Sequence, residues 1–167
     1  MGFYPFIPEG LIPVPLGPPS LGDTAITEWV NIGGSQMAWI DCYATVAAAT
    51  ITQCVPAKAY DAAGASTAVL GFNVPIWYGY AAAGAALTLT RQTDAANFSM
   101  TAAAGVHRCI FMINPVALGR EGSIPSLGSY SFITCTMAGE AADYISATVW
   151  VLPRYQSDEI VTTRWIA

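Results

Sequence analysis

The sequence holds a single histidine, His107, and four cysteines, Cys42, Cys54, Cys109 and Cys135. A hydrolase of Ser-His-Asp or Cys-His type would have to build on His107, because the imidazole takes the proton from the nucleophile. No G-x-S-x-G elbow occurs in the chain, and the flanking Val106 and Arg108 form no nucleophile motif. His107 therefore reads as a structural residue in a strand. The cysteines are widely spaced, with no C-x-x-C pair, and no acidic loop of calcium-site type is present. They read as buried free thiols, and no metal or cofactor is expected. Glycoside hydrolysis needs two converging carboxylates. Most acids here (Asp23, Asp61, Asp94, Glu121, Glu140, Asp158) stand in turn-like stretches, and Asp41 is isolated in sequence. The glycine-containing GSQMAW and GREGS lack the phosphate-loop spacing. Asn97-Phe98-Ser99 matches the glycosylation triplet by chance. One group carries binding chemistry. Trp77, Tyr78 and Tyr80 cluster in VPIWYGY, and exposed rings of this kind stack on sugars. The competing reading is that alternate rings fill the core or a subunit interface.

The elements that must hold these residues are short. From residue 23 onward, runs rich in Val, Ile, Thr, Tyr, Phe and Trp are split by Gly, Pro, Asn and Asp. That is the strand-and-turn pattern. It predicts strands over 25–32, 37–53 (broken once), 67–72, 74–80, 86–92, 97–103, 106–114, 129–137, 143–152 and 159–166. Residues 56–65 and 137–144 have the best helical propensity and predict a turn or two each. The fold class expected is all-β: a single β-sandwich or jelly-roll-like domain over 23–167, with an extended arm over 1–22. Several strands are apolar on both faces. Cys109, Phe111 and Ile113 oppose Ile110 and Met112, and Ile145, Val149 and Val151 oppose Tyr144, Trp150 and Leu152. Such strands need a cover outside the sandwich as well as within it.

The arm is unusual. Pro5, Pro8, Pro13, Pro15, Pro18 and Pro19 alternate with Phe3, Tyr4, Phe6, Ile7, Leu11, Ile12, Val14 and Leu16. Proline fixes φ and removes a donor, so the segment is extended and forms neither a helix nor an inner strand. Linkers of this geometry are ordinarily polar. Eight large apolar side chains are instead expected to dock, on the chain's own domain or on a partner. The partner surface is the reading adopted for these eight residues.

Only 10% of residues are charged and the net charge is −5, against about 25% charged in ordinary soluble domains. No formal charge lies between Asp41 and Lys58, or between Asp61 and Arg91. Gly, Pro and Asn interrupt the longer of these stretches, so neither is expected to span a membrane. One Lys and five scattered Arg make no basic patch, so nucleic-acid binding is not expected. With no signal segment legible, a reducing, cytoplasmic site of assembly is the expectation. A surface so poor in charge suits a chain tiled against neighbours.

The stretches GFYPFIPEGLIPVPLGPPS, GFNVPIWYG, LTLTRQTDAANFSMTAAAGVHRCIFMINP and ATVWVLPRYQ resemble those of tailed-bacteriophage capsid decoration (cement) proteins. The resemblance implies a β-rich, often trimeric module without catalytic residues. Such a module sits on the capsid surface of the virion and contacts the major capsid protein and copies of itself, commonly through an extended terminal arm. The low charge departs from what an outward-facing protein requires. The alternative is a carbohydrate- or receptor-binding β-sandwich of an adhesin or tail, using Trp77, Tyr78 and Tyr80.

Overall fold

β-branched and aromatic runs become strands here because their side chains pack on a pleated surface. A computed structural model describes residues 11–17, 20–21, 28–47, 52–64, 66–101, 103–120, 129–138 and 143–153. In chain order the strands are β1 (Ile12–Pro15), β2 (Ser20–Leu21), β3 (Val30–Asn31), β4 (Ser35–Val46), β5 (Gln53–Ala59) and β6 (Ala68–Val69). They continue as β7 (Ile76–Ala81), β8 (Thr90–Arg91), β9 (Phe98–Ser99), β10 (Gly105–Ile113), β11 (Phe132–Ala138) and β12 (Tyr144–Pro153). One short helix, α1 (Pro115–Arg120), follows β10.

Two antiparallel sheets pack face to face, as the sequence led one to expect. The larger, seven-stranded sheet runs β1-β12-β4-β10-β7-β8, with β2 also on β12. The smaller, five-stranded sheet runs β3-β11-β5-β6, with β9 also on β5. Successive segments cross from sheet to sheet, and pairing is nested: β1 with β12, β3 with β11, β4 with both β10 and β12. This is the jelly-roll wrap of two Greek keys, with the β7–β8 hairpin added beyond β10.

The period-2 pattern sets which face is buried. On the larger sheet Ile40 and Cys42, Cys109 and Phe111, Ile145 and Val149 point inward and are fully buried. From the smaller sheet Val30, Ile133, Cys135, Met137 and Cys54 meet them. Leu118 of α1 closes part of the core. The helix starts where Asn114 caps it: its Oδ1 accepts the Val116 N–H at 3.0 Å, and Pro115 takes the first helical position.

Three expectations fail, each for a physical reason. Residues 53–59 form β5, not a helix turn, although Ala57, Lys58 and Ala59 are helix formers; pairing with β11 along its whole length overrides their propensity. Pro56 is tolerated because its carbonyl accepts the Leu70 N–H at 3.4 Å. Its missing donor therefore faces the gap between β6, which pairs at 57–58, and β9, which pairs at 53–54. Met137 and Ala138 end β11 and Tyr144 begins β12, so 137–144 is not helical at either end. The expected strand over 159–166 lies outside the described residues.

The third correction concerns the arm. Ile12–Pro15 is an edge strand of the larger sheet, in register with Thr148–Val151. Val14 and Leu16 belong to the chain's own core, at 4% and 0% exposure, so these two serve no partner. Leu11 and Ile12 are half-buried, Ile12 against the same core. Phe3, Tyr4, Phe6 and Ile7 lie outside the described residues. The Leu16 N–H donates to the Ala147 carbonyl at 2.9 Å. By alternation Val14 also faces β12, while Pro13 and Pro15 turn their backbone edge outward. An edge that lacks donors at alternate positions cannot template a further strand. Replacing both prolines by threonine restores two donors. Sedimentation velocity is expected to show concentration-dependent self-association of that double variant at unchanged secondary structure; an unaltered sedimentation coefficient would contradict this role.

Candidate functional site

Alternation splits the VPIWYGY aromatics between two faces. Tyr78 and Tyr80 stand on the inner side of β7, opposite Cys109 and His107 of β10. Trp77, between them, points out of the sandwich. The three rings therefore do not form one platform, and the sugar-stacking surface expected from them does not exist in that form. Neighbours in a strand cannot share a face.

Tyr78 and Tyr80 instead enclose His107, which is fully buried. The imidazole Nε2–H donates to the Ala103 carbonyl at 2.8 Å. The other ring nitrogen, Nδ1, accepts from the Tyr78 hydroxyl at 2.8 Å, and that hydroxyl accepts the Thr101 N–H at 3.0 Å. Tyr80 Oη donates to the Ala104 carbonyl at 3.0 Å, and its ring lies 4.9 Å from the imidazole. Each side-chain polar atom of this Tyr78–His107–Tyr80 network has a partner, as burial demands, and the network ties Thr101, Ala103 and Ala104 to the sheet. His107 is thus buried with both ring nitrogens hydrogen-bonded. Substituting His107 by Phe removes the partner of the Ala103 carbonyl and the acceptor of the Tyr78 hydroxyl proton, while the Thr101 N–H still donates to that hydroxyl. It should lower unfolding free energy by roughly 2–4 kcal/mol, read by urea denaturation; a loss below about 0.5 kcal/mol would remove the network from the account.

The cysteines converge between the sheets. Cys42 and Cys109 are opposite each other on β4 and β10, and Cys42 Sγ lies 3.5 Å from Cys135 Sγ of the facing sheet. All four are buried free thiols. Hydrogen bonding to Cys135 and burial raise the Cys42 thiol, and burial raises Cys109 and Cys135, so these three stay protonated. Hydrogen bonds from the Cys135 and Cys42 thiols favour charge at Cys54, against its burial. No group of residues able to hold a metal ion occurs among the described residues.

The outer face of the larger sheet carries the more open chemistry. Trp39, Asp41 and Tyr43 of β4 point outward, flanked by Met112, Ile110 and Arg108 of β10 and by Trp150, Thr148 and Ser146 of β12. Trp77 joins the Asp41 row beside Ile110. Asp41 and Arg108, 67 positions apart, meet in a forked pair: Nε donates to Oδ1 at 2.8 Å and Nη2 to Oδ2 at 2.6 Å. The carboxylate holds Arg108 still more firmly charged, against the desolvation of the half-buried guanidinium. Trp150 Nε1–H also donates to Asp41 Oδ2, at 3.3 Å. At the sheet's margin the Arg91 guanidinium covers Trp77 at 5.1 Å and pairs with Asp94.

Over this face lies a cleft of about 350 Å³, lined by Asp41, Tyr43, Leu87, Val106, Arg108, Ser146 and Thr148. Its wall is the loop between β7 and β8. A Cβ at Gly79 would meet the Thr88 carbonyl oxygen at 2.6 Å, so glycine lets that loop lie on the sheet. Sequence reasoning missed the cleft because Asp41 looked isolated. Its pairing depends on the β4–β10 register, and the alternation in 143–152 groups Trp150 with Tyr144 and Leu152 without showing which face is outward. Among the described residues the lining holds one carboxylate, Asp41, engaged by Arg108 and Trp150. It offers fixed hydrogen-bonding groups beside an apolar wall. The chain matches no known family model, no curated protein and no solved structure.

Proposed function

We propose that this chain is a non-enzymatic structural protein of a virion: a jelly-roll module that decorates a phage capsid and stabilises it by binding the major capsid protein and further copies of itself. The observation that carries the reading is the entry of the chain into β1. Residues 12–16 are committed to the domain's own sheet and core. Phe3, Tyr4, Phe6 and Ile7 precede that edge in the sequence, separated from it by Pro8; in this reading they are the residues that dock on a partner. A charged fraction of 10% supports the same reading, because a surface facing protein neighbours has less need of charge. Jelly rolls serve both capsids and lectins, so fold alone supports it only by analogy. Many copies on one shell sum weak contacts into firm attachment.

Deletion of residues 1–10 tests this. Because β1 is kept, the truncated chain should retain its circular dichroism spectrum and thermal midpoint. In particles assembled with it, occupancy should fall at least about tenfold, as loss of a few buried apolar anchors implies. Wild-type occupancy of the truncated form on sedimented particles would contradict the proposal.

A further inference from the structure

We propose that the cleft over Asp41 and Arg108 binds a neutral saccharide of one or two rings. The inference stands on the outer face of the larger sheet and does not depend on the assembly reading.

The chemistry of the lining selects the class. A sugar ring presents adjacent hydroxyls, each a donor and an acceptor, on one side, and C–H groups on its faces. Asp41 and Arg108 present an acceptor and a donor locked side by side. The contacts at Asp41 fill both sites on Oδ2 and one on Oδ1, leaving Oδ1 able to accept one bond more. Two guanidinium N–H groups of Arg108 are used on Asp41, and Arg108 lines the cleft with further donors to give. Ser146 and Thr148 add hydroxyls from the next strand, while Tyr43, Leu87 and Val106 supply the apolar contact. The ion pair cancels its own charge, so an ionic ligand gains no net attraction there. The volume of about 350 Å³ falls at the small end of small-molecule sites, roughly 300–1,000 Å³. Six of the seven lining residues sit on β4, β10 and β12, so binding orders little backbone.

Trp150 is a built-in reporter, because its indole N–H rests on Asp41. The experiment titrates the 15N-tryptophan-labelled full chain with glucose, galactose, mannose, N-acetylglucosamine, maltose and lactose in turn, and with glucuronate as the charged control. The expected result is a saturable shift of the Trp150 indole signal with at least one neutral sugar, with the Trp29 signal unmoved. Arg108→Gln should weaken that sugar roughly tenfold. Thr148→Val, nearly equal in shape and safe for the fold, should weaken it measurably. Absence of a saturable shift with every neutral sugar would overturn the proposal. So would tighter binding of glucuronate, or affinity unchanged in both variants. The readout uses the isolated chain, so failure here leaves particle incorporation untouched, and the converse holds.

Discussion

The fold hangs on β12. It is the one strand of the larger sheet that pairs along nearly its full length with β4 while also holding β1 and β2 on its other edge. Ile145, Ala147, Val149 and Val151 drive the inward side of this strand into the core. Segments more than 100 positions apart are thereby brought into register, and the jelly roll closes. Asp143, buried just ahead of β12, accepts the Ala47 N–H at 3.1 Å and fixes where that strand begins against the end of β4. Contacts so distant in sequence are formed against a large loop-closure entropy. What repays it is apolar burial on both sheets, at about 25 cal/mol per Å².

The same pairing generates the outer surface. Because β12, β4 and β10 are held in fixed register, their outward residues form rows in which Trp150 lies beside Trp39, and Arg108 reaches diagonally from the Tyr43 row to Asp41 in the next. The ion pair is partly exposed, at 35% for Arg108 and 13% for Asp41, so it adds little stability. Its geometry is its contribution: a fork pointing along a rigid sheet. Where the inner face is sealed by alkyl groups and thiols, the outer face keeps half-buried aromatics and polar groups. That division lets one module hold its shape while polar and aromatic groups remain on its outer face.

Much of this was legible in the sequence. β-branched and aromatic runs marked most strands, but alternation in 106–114 and 143–152 left both faces apolar, and only the packing of the two sheets shows that Cys109, Phe111, Ile145 and Val149 turn inward. The hydrogen bonds of His107 to Tyr78 and Ala103 depend on pairing and loop geometry that no local pattern encodes. Three further things were not legible. Residues 53–59 carry helix-favouring Ala and Lys, and only the neighbouring strands decide their state. The Asn114-Pro115 pair is a helix-start signal, but it is short and sits between strong strands. The cleft depends on the register between β4 and β10, which no local pattern encodes. Pro13 and Pro15, expected to bar an inner strand, stand in β1 at the end of the sheet order. Their use at the sheet edge, with Val14 and Leu16 turned inward between and beyond them, needed the pairing to be seen.

The central claim is that residues 12–16 are part of the closed sheet and not a free arm. Native-state hydrogen exchange at the Leu16 amide, which donates to the Ala147 carbonyl, tests it most directly. The account predicts that this amide exchanges as slowly as those of Ile40 and Phe111 in the central strands, with an opening free energy close to that of global unfolding. Exchange at the rate of an unstructured chain would show that the sheet closes without β1, and would contradict the account.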